Sequence, residues 1–324
     1  MTFPFTIYAL VLLGGLATTA GALPLWRAWC RRTGLVDDPG HRKIHTEPVP
    51  LAGGLAVFTG LAVPLLLGLL AVKLDLLSLP AAGAFGHGFA RRAPQLVVVF
   101  AGAAGMVVLG WLDDRHELRA RWKFTGQALI ALGVAVSGVR VTLFVPSFAF
   151  SLLVTTLWIV TVTNALNFLD NMNGLCAGLG VIGAFCFGLK AAIAGQYLVA
   201  SFALLAAAAL VGFLPYNFPR ASAFLGDAGS HLVGYLLAVL AILPHFYSDD
   251  HPTKLAVLNP LLILAVPLGD LVWVVLLRWR LGQPVYVGDN NHLSHRLVRR
   301  GLSKPTAVLA IWLLAAATGA LAFL

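Results

Sequence analysis

Ten apolar stretches recur along the chain, near residues 5–25, 51–72, 94–112, 124–139, 148–168, 176–194, 197–214, 230–246, 257–278 and 305–323. Each is close to the ~20 residues that a helix needs to cross a bilayer. In lipid every backbone polar group must find a partner within the chain, which leaves helices or a closed barrel. Continuous apolar runs of this length read as helices. A composition of 59% hydrophobic and 11% charged residues, with mean hydropathy +0.88, lies outside the soluble globular range. The expected fold is therefore an all-α polytopic integral membrane protein of about ten transmembrane helices. No internal repeat and no linker divides it, so residues 1–324 form one domain.

The charges set an orientation. The loops after odd-numbered stretches carry sixteen of the 22 Lys and Arg, among them Arg31, Arg32, Arg115, Arg119, Arg121, Arg299 and Arg300. The opposite side carries only Lys73, Arg91, Arg92, Arg140, Lys190 and Lys254. The richer side is expected in the cytoplasm, which places both termini outside. This topology accounts for the basic excess without nucleic acid. Before Arg27 there is no Lys or Arg, so the first stretch lacks the basic segment of a cleaved signal peptide and reads as a retained helix. Cys30, Cys176 and Cys186 have neither metal-ligand spacing nor an even count, and are expected to be free thiols without a catalytic role.

The unusual polar residues gather on the cytoplasmic side. Asn164, Asn167 and Asp170 recur every three residues and share one side of a helix. Polar groups in a lipid-embedded chain are costly unless they face partners, water or a ligand. The first loop contains Asp38-Pro39, His41-Arg42-Lys43, His45 and then Pro48-Val-Pro50-Leu-Ala-Gly53-Gly54. The second begins at Asp113-Asp114 and runs to Lys123 and Gln127. The fourth holds Gly226-Asp227-Ala-Gly229-Ser230, and the fifth Asp289, His292, Ser294, His295 and Arg296. Each has a plainer explanation: basic loops follow from topology, Asp113-Asp114 reads equally as a solvated helix end, Asp227 as a helix cap, and the histidines as interfacial residues. Together they point elsewhere. Adjacent carboxylates repel unless a cation compensates, and a hard cation such as Mg2+ serves where phosphates are handled. Mg2+ takes only one or two protein carboxylates, so Asp113, Asp114, Asp170 and Asp227 cannot all be direct ligands. Lys and Arg would meet the remaining phosphate charge. A transporter would instead place its carboxylates near the bilayer midplane in repeat-related broken helices.

At these residues the chain resembles the polyprenyl-phosphate N-acetylhexosamine-1-phosphate transferase family, which includes the MraY and WecA/TagO enzymes. Five motifs carry the resemblance, in family order: Asp38 to Gly54; Asp113-Asp114 with Leu118, Lys123 and Gln127; Asn164, Asn167, Asp170 and Gly174-Leu175; Gly226 to Ser230; and Asp289, His292, His295 and Arg296. The Pro48 to Gly54 segment and the His292 region favour the WecA/TagO branch over the rival reading, a phospho-MurNAc-pentapeptide transferase. Two positions depart from the pattern. Asn173 stands where the family has a second Asp, and Ser294 where it has the middle His of a triplet.

The resemblance implies transfer of a sugar 1-phosphate, GlcNAc by default, from a UDP-N-acetylhexosamine to undecaprenyl phosphate at the bacterial cytoplasmic membrane, with release of UMP. It implies Mg2+, with Mn2+ as a substitute, held by Asp227, and a homodimer. It makes Asp113, Asp114, Asp170, His292 and His295 the catalytic candidates. Arg42, Lys43, His45, Lys123, Asn164, Asn167, Asn173 and Arg296 become substrate-binding candidates, Asn173 through donor recognition. Asp270, alone in the ninth stretch, is expected to have a buried partner or to line the site.

Overall fold

In a computed structural model of the chain the described residues are 5–38, 47–74, 82–141, 145–244, 257–284 and 291–324, the side chains of residues 72 and 82–92 excepted. Arg42, Lys43, His45 and Asp289 lie outside them. Each expected stretch is helical: α1 (Phe5–Thr33), α2 (Gly53–Lys73), α3 (Ala82–His116), α4 (Ala120–Val136), α5 (Phe148–Phe168), α6 (Leu175–Ile193), α7 (Tyr197–Phe213) and α8 (Gly226–Leu240). The ninth is broken at Leu264 into α9 (Asn259–Ile263) and α10 (Ala265–Arg280). A short α11 (Leu293–Arg299) precedes α12 (Lys304–Leu321). Among the described residues seven helices are long and apolar enough to cross a membrane. Of the others, α4, α8 and α10 have 17, 15 and 16 residues. The protein is an all-α polytopic membrane protein.

Helix α8 is the axis. Every one of its residues except Asp227 is buried, and α2, α3, α5 and α6 pack around it. Helix α7 packs against α1 and α6, while α12 joins α6, α9 and α10. Outward faces carry large apolar side chains such as Leu13, Leu25, Leu129, Ile193 and Leu313, as lipid contact requires. The three cysteines are free and buried.

Two connections hold the start of α8 in place. A minimal antiparallel pair, β1 (Val36–Asp37) with β2 (Val49–Pro50), leads into α2. The segment from Pro50 to Gly54 is then stitched to the residues before Asp227: Phe224 N–H donates to Pro50 O at 2.9 Å, and Gly53 and Gly54 N–H donate to Phe224 O and Leu225 O at 2.9 and 3.0 Å. On the other side α3 touches the first turn of α8 at Gly110, where a Cβ would come within 2.3 Å of Asp227 O. Only glycine permits that approach.

Candidate active site

The approach of α3 to α8 brings Asp113 and Asp114 to Asp227 and gives the two neighbours different tasks. Consecutive helical residues point about 100° apart. Asp114 reaches the N-terminus of α8, where its Oδ1 accepts from Asp227 N–H at 2.8 Å and its Oδ2 from Ala228 N–H at 3.1 Å. A carboxylate at a helix N-terminus satisfies orphan donors and complements the helix dipole. Gly226, at φ +71°, lies where a Cβ would be 2.8 Å from Asp114 Oδ2. The cap of α8 is thus Asp114, supplied from another helix, and Asp227 is free to point outward.

Asp113 turns toward the cleft. It is buried, so the pair is not a solvated helix end. Its Oδ1 accepts Leu118 N–H at 2.8 Å, closing the turn between α3 and α4. That turn directs Lys123 back onto both carboxylates, with Nζ 2.5 Å from Asp113 Oδ2 and 2.8 Å from Asp227 Oδ2. Asp227 Oδ1 accepts from Asn167 Nδ2 at 2.6 Å, and the same amide donates to Ser230 Oγ at 2.8 Å. Asn164 acts one layer deeper. It donates to Gln127 Oε1 at 2.6 Å, which leaves Gln127 Nε2 to donate to His231 Nε2 at 3.2 Å. Asn167 therefore supports Asp227 directly, while Asn164 builds the buried layer with Gln127 and His231 beneath it.

These residues open onto a cavity of about 370 Å³, lined by Asp113, Lys123, Asn164, Asn167 and Asp227, with Phe168 and Glu117 among the remaining walls. That falls within the usual range for small-molecule sites. Asp170 lies in the turn after α5, close enough to Asp227 and Asp114 to feel their charge. Burial, reinforced by those two carboxylates, pushes the Asp170 carboxyl up to about 8.

The donor set suits a hard divalent cation. Asp113, Asp227 and His231 hold potential ligand atoms within 4.8 Å of one another. His231 is fully buried and is not among the residues lining the cavity, so the anionic ligand groups facing the cleft are the carboxylates of Asp113 and Asp227, which suit Mg2+ or Mn2+.

The histidine segment docks separately. His292 and Asp270 are both buried, with His292 Nδ1 2.6 Å from Asp270 Oδ2. The His292 ring lies 6.1 Å from that of Phe168, centroid to centroid. Asp270 therefore has the buried partner its position demanded. Ser294 is fully buried and donates to Asn171 Oδ1 at 2.8 Å. Burial lowers the pKa of His295, helped by His292, Arg299 and Lys304. Arg296 stacks on Trp273, 4.4 Å from the ring centroid, and is not among the residues lining the cavity. Asn173 donates to Pro219 O at 3.2 Å, so its amide ties two loops together. An aspartate there would set a second acceptor against that carbonyl.

Sequence reasoning did not single out Glu117, Phe168 or His231. The signal for His231 was its place directly after Gly226 to Ser230 on a helix, where a buried polar side chain needs a partner. Glu117 carried none, because the α3–α4 turn alone brings it to the cleft, and Phe168, the last residue of α5, reads from sequence as one more apolar residue of that helix.

Comparison with known proteins agrees with this site. The sequence profile of Glycosyl transferase family 4 matches residues 96–245, which include Asp113, Lys123, Asn167, Asp170 and Asp227. A probable undecaprenyl-phosphate N-acetylglucosaminyl 1-phosphate transferase of Bacillus subtilis is 33% identical over 301 residues, covering 90% of this chain and 77% of the relative. A decaprenyl-phosphate N-acetylglucosaminephosphotransferase of Mycobacterium tuberculosis is 35% identical over 338 residues, covering 96% and 80%. An undecaprenyl-phosphate alpha-N-acetylglucosaminyl 1-phosphate transferase of Escherichia coli is 27% identical over 309 residues, covering 90% and 76%. With similarity along nearly its whole length and Asp113, Lys123, Asn164, Asn167 and Asp227 gathered at one cleft, the chain belongs to glycosyl transferase family 4, among the polyprenyl-phosphate N-acetylhexosamine-1-phosphate transferases.

Proposed function

We propose that this protein transfers N-acetylglucosamine 1-phosphate from its UDP-sugar to undecaprenyl phosphate, releasing UMP, at the cytoplasmic face of a bacterial inner membrane. The observation that carries the reading is the Asp113–Lys123–Asp227 cluster at the wall of a cleft in a membrane bundle. The names of the relatives supply the reaction class. The charge asymmetry of the loops supports the cytoplasmic orientation.

A phosphate oxygen of the lipid attacks the sugar-bearing phosphorus, a new P–O bond forms, and the bond to UMP breaks with its electron pair leaving on UMP. Catalysis of this kind rests on positioning and charge neutralisation. Asp227, with Asp113 in reach, would hold a divalent cation, which when bound would supply charge to neutralise the donor diphosphate. Lys123 is placed to exchange its carboxylate partners for phosphate oxygens as substrates enter. Asp113 then faces the acceptor. A phosphate monoester has a second pKa of about 6, so the nucleophile is largely a dianion at neutral pH, and Asp113 is better used in orientation than in proton removal. Asn167 holds Asp227 in place by donating to its Oδ1.

The test is transfer by the purified protein with undecaprenyl phosphate and Mg2+, offered UDP-GlcNAc, UDP-GalNAc and UDP-MurNAc-pentapeptide separately. UDP-GlcNAc is expected to give a lipid-linked sugar and stoichiometric UMP. Turnover of the pentapeptide donor alone would reassign the protein to the rival branch.

A further inference from the structure

Asp270 is a carboxylate on the buried face of α10, shared with Val266, Val274 and Arg278. An ionisable group in an apolar helix is expensive and needs a specific partner. Here both its oxygens are taken by the start of α11. Oδ2 lies 2.6 Å from His292 Nδ1, and Oδ1 accepts Leu293 N–H at 2.6 Å. The two bonds do separate things. The backbone bond anchors the N-terminus of a seven-residue helix that has no side-chain cap of its own. The imidazole bond fixes the tautomer: a carboxylate at Nδ1 places the proton there and leaves Nε2 as the free ring nitrogen. The ring so fixed sits against Phe168, itself a wall of the cleft that holds Asp113 and Asp227.

We infer that Asp270 is a positioning residue for the transfer reaction, a two-point clamp that sets the place of His292 and keeps a proton on Nδ1, so that Nε2, when it too carries a proton, donates to a phosphate oxygen of the substrate. Asp270 touches no substrate. It acts through His292, and this role rests on the transferase reading above.

An amide cannot replace this carboxylate. With one acceptor oxygen, the side chain introduced by D270N would satisfy either Leu293 N–H or His292 Nδ1–H, and its NH2 would face the other donor. D270N is therefore expected to lower kcat by about 10- to 100-fold, the usual cost of removing an orienting partner, while KM for undecaprenyl phosphate changes by less than about twofold. H292A should lower kcat to a similar extent. In the double variant D270N/H292A the second loss should vanish, because residues acting as one unit are not additive.

A second readout needs no turnover. In wild-type protein labelled with 15N-histidine, the resonances lost in H292A should be those of an Nδ1-protonated ring. Full activity of D270N, multiplying losses in the double variant, or an Nε2-protonated His292 that leaves Nδ1 bare would each overturn the assignment. If wild type turns over no UDP-sugar the transferase reading fails, and the spectrum still decides whether Asp270 sets the tautomer.

Discussion

Asp114 meets Asp227 through the backbone: its Oδ1 accepts the Asp227 N–H at 2.8 Å, and its other oxygen takes the next N–H along. The carboxylate thus seats the first turn of α8, and with it the side chain of Asp227. D114N keeps the shape but offers one acceptor in place of two. It should destabilise the protein by about 1–3 kcal/mol, the cost of leaving a buried donor unsatisfied, and lower activity with it. Thermal unfolding in detergent checks this. Wild-type melting by D114N would show that the cap is dispensable.

Lys123 bridges Asp113 and Asp227 and stands where a cation is needed to keep two carboxylates together. K123M should lower turnover on the order of 10²-fold, as loss of a preorganised charge in an active site does. The carboxylates released from the ammonium should also bind Mn2+ more tightly than in wild type, which electron paramagnetic resonance titration reads directly. Unchanged turnover would remove Lys123 from the mechanism.

For Asp170 the direction of the pH effect is fixed. Its carboxyl is raised to about 8 by burial and by Asp227 and Asp114. From the ordinary carboxylate range up to about 8, the unfolded chain loses this proton while the folded one retains it, so rising pH favours unfolding. D170N has no proton to lose. In EDTA its melting temperature should gain on wild type as pH climbs from about 5 to about 8. A gap that narrows with pH would contradict the raised carboxyl of Asp170.

Asn171 and Ser294 tie the turn after α5 to α11. Ser294 is one of the two departures from the family pattern, and its partner lies in the same turn as the other, Asn173. Either single alanine substitution should cost about 1 kcal/mol, the net worth of a hydrogen bond. The double variant should cost no more than the larger single. Full additivity in denaturant titration would mean the two residues act independently.

The residues that form the cleft were legible wherever burial in lipid makes a polar group expensive. Asp113, Asp227 and Asn167 stand out for that reason. What each does was less legible. Asp113 and Asp114 look alike as neighbours, yet the turn of the helix sends one to Lys123 and the other to α8. Helix ends shifted where polar motifs continue a helix: α8 starts at Gly226, ahead of the apolar run, because Asp114 supplies its cap from outside. The ninth stretch breaks at Leu264 between Pro260 and Pro267, each of which removes a backbone donor. The Asp270–His292 and Asn171–Ser294 pairs span 22 and 123 residues, and no local periodicity reports a contact at such range.

Asp227 as the centre of the site is tested most directly by UMP release from UDP-GlcNAc by purified wild-type and D227A proteins, each with undecaprenyl phosphate, in Mg2+ and in EDTA. Wild type is expected to turn over in Mg2+ alone, and D227A under neither condition although it folds. Sustained turnover by D227A, or by wild type in EDTA, would contradict that role for Asp227.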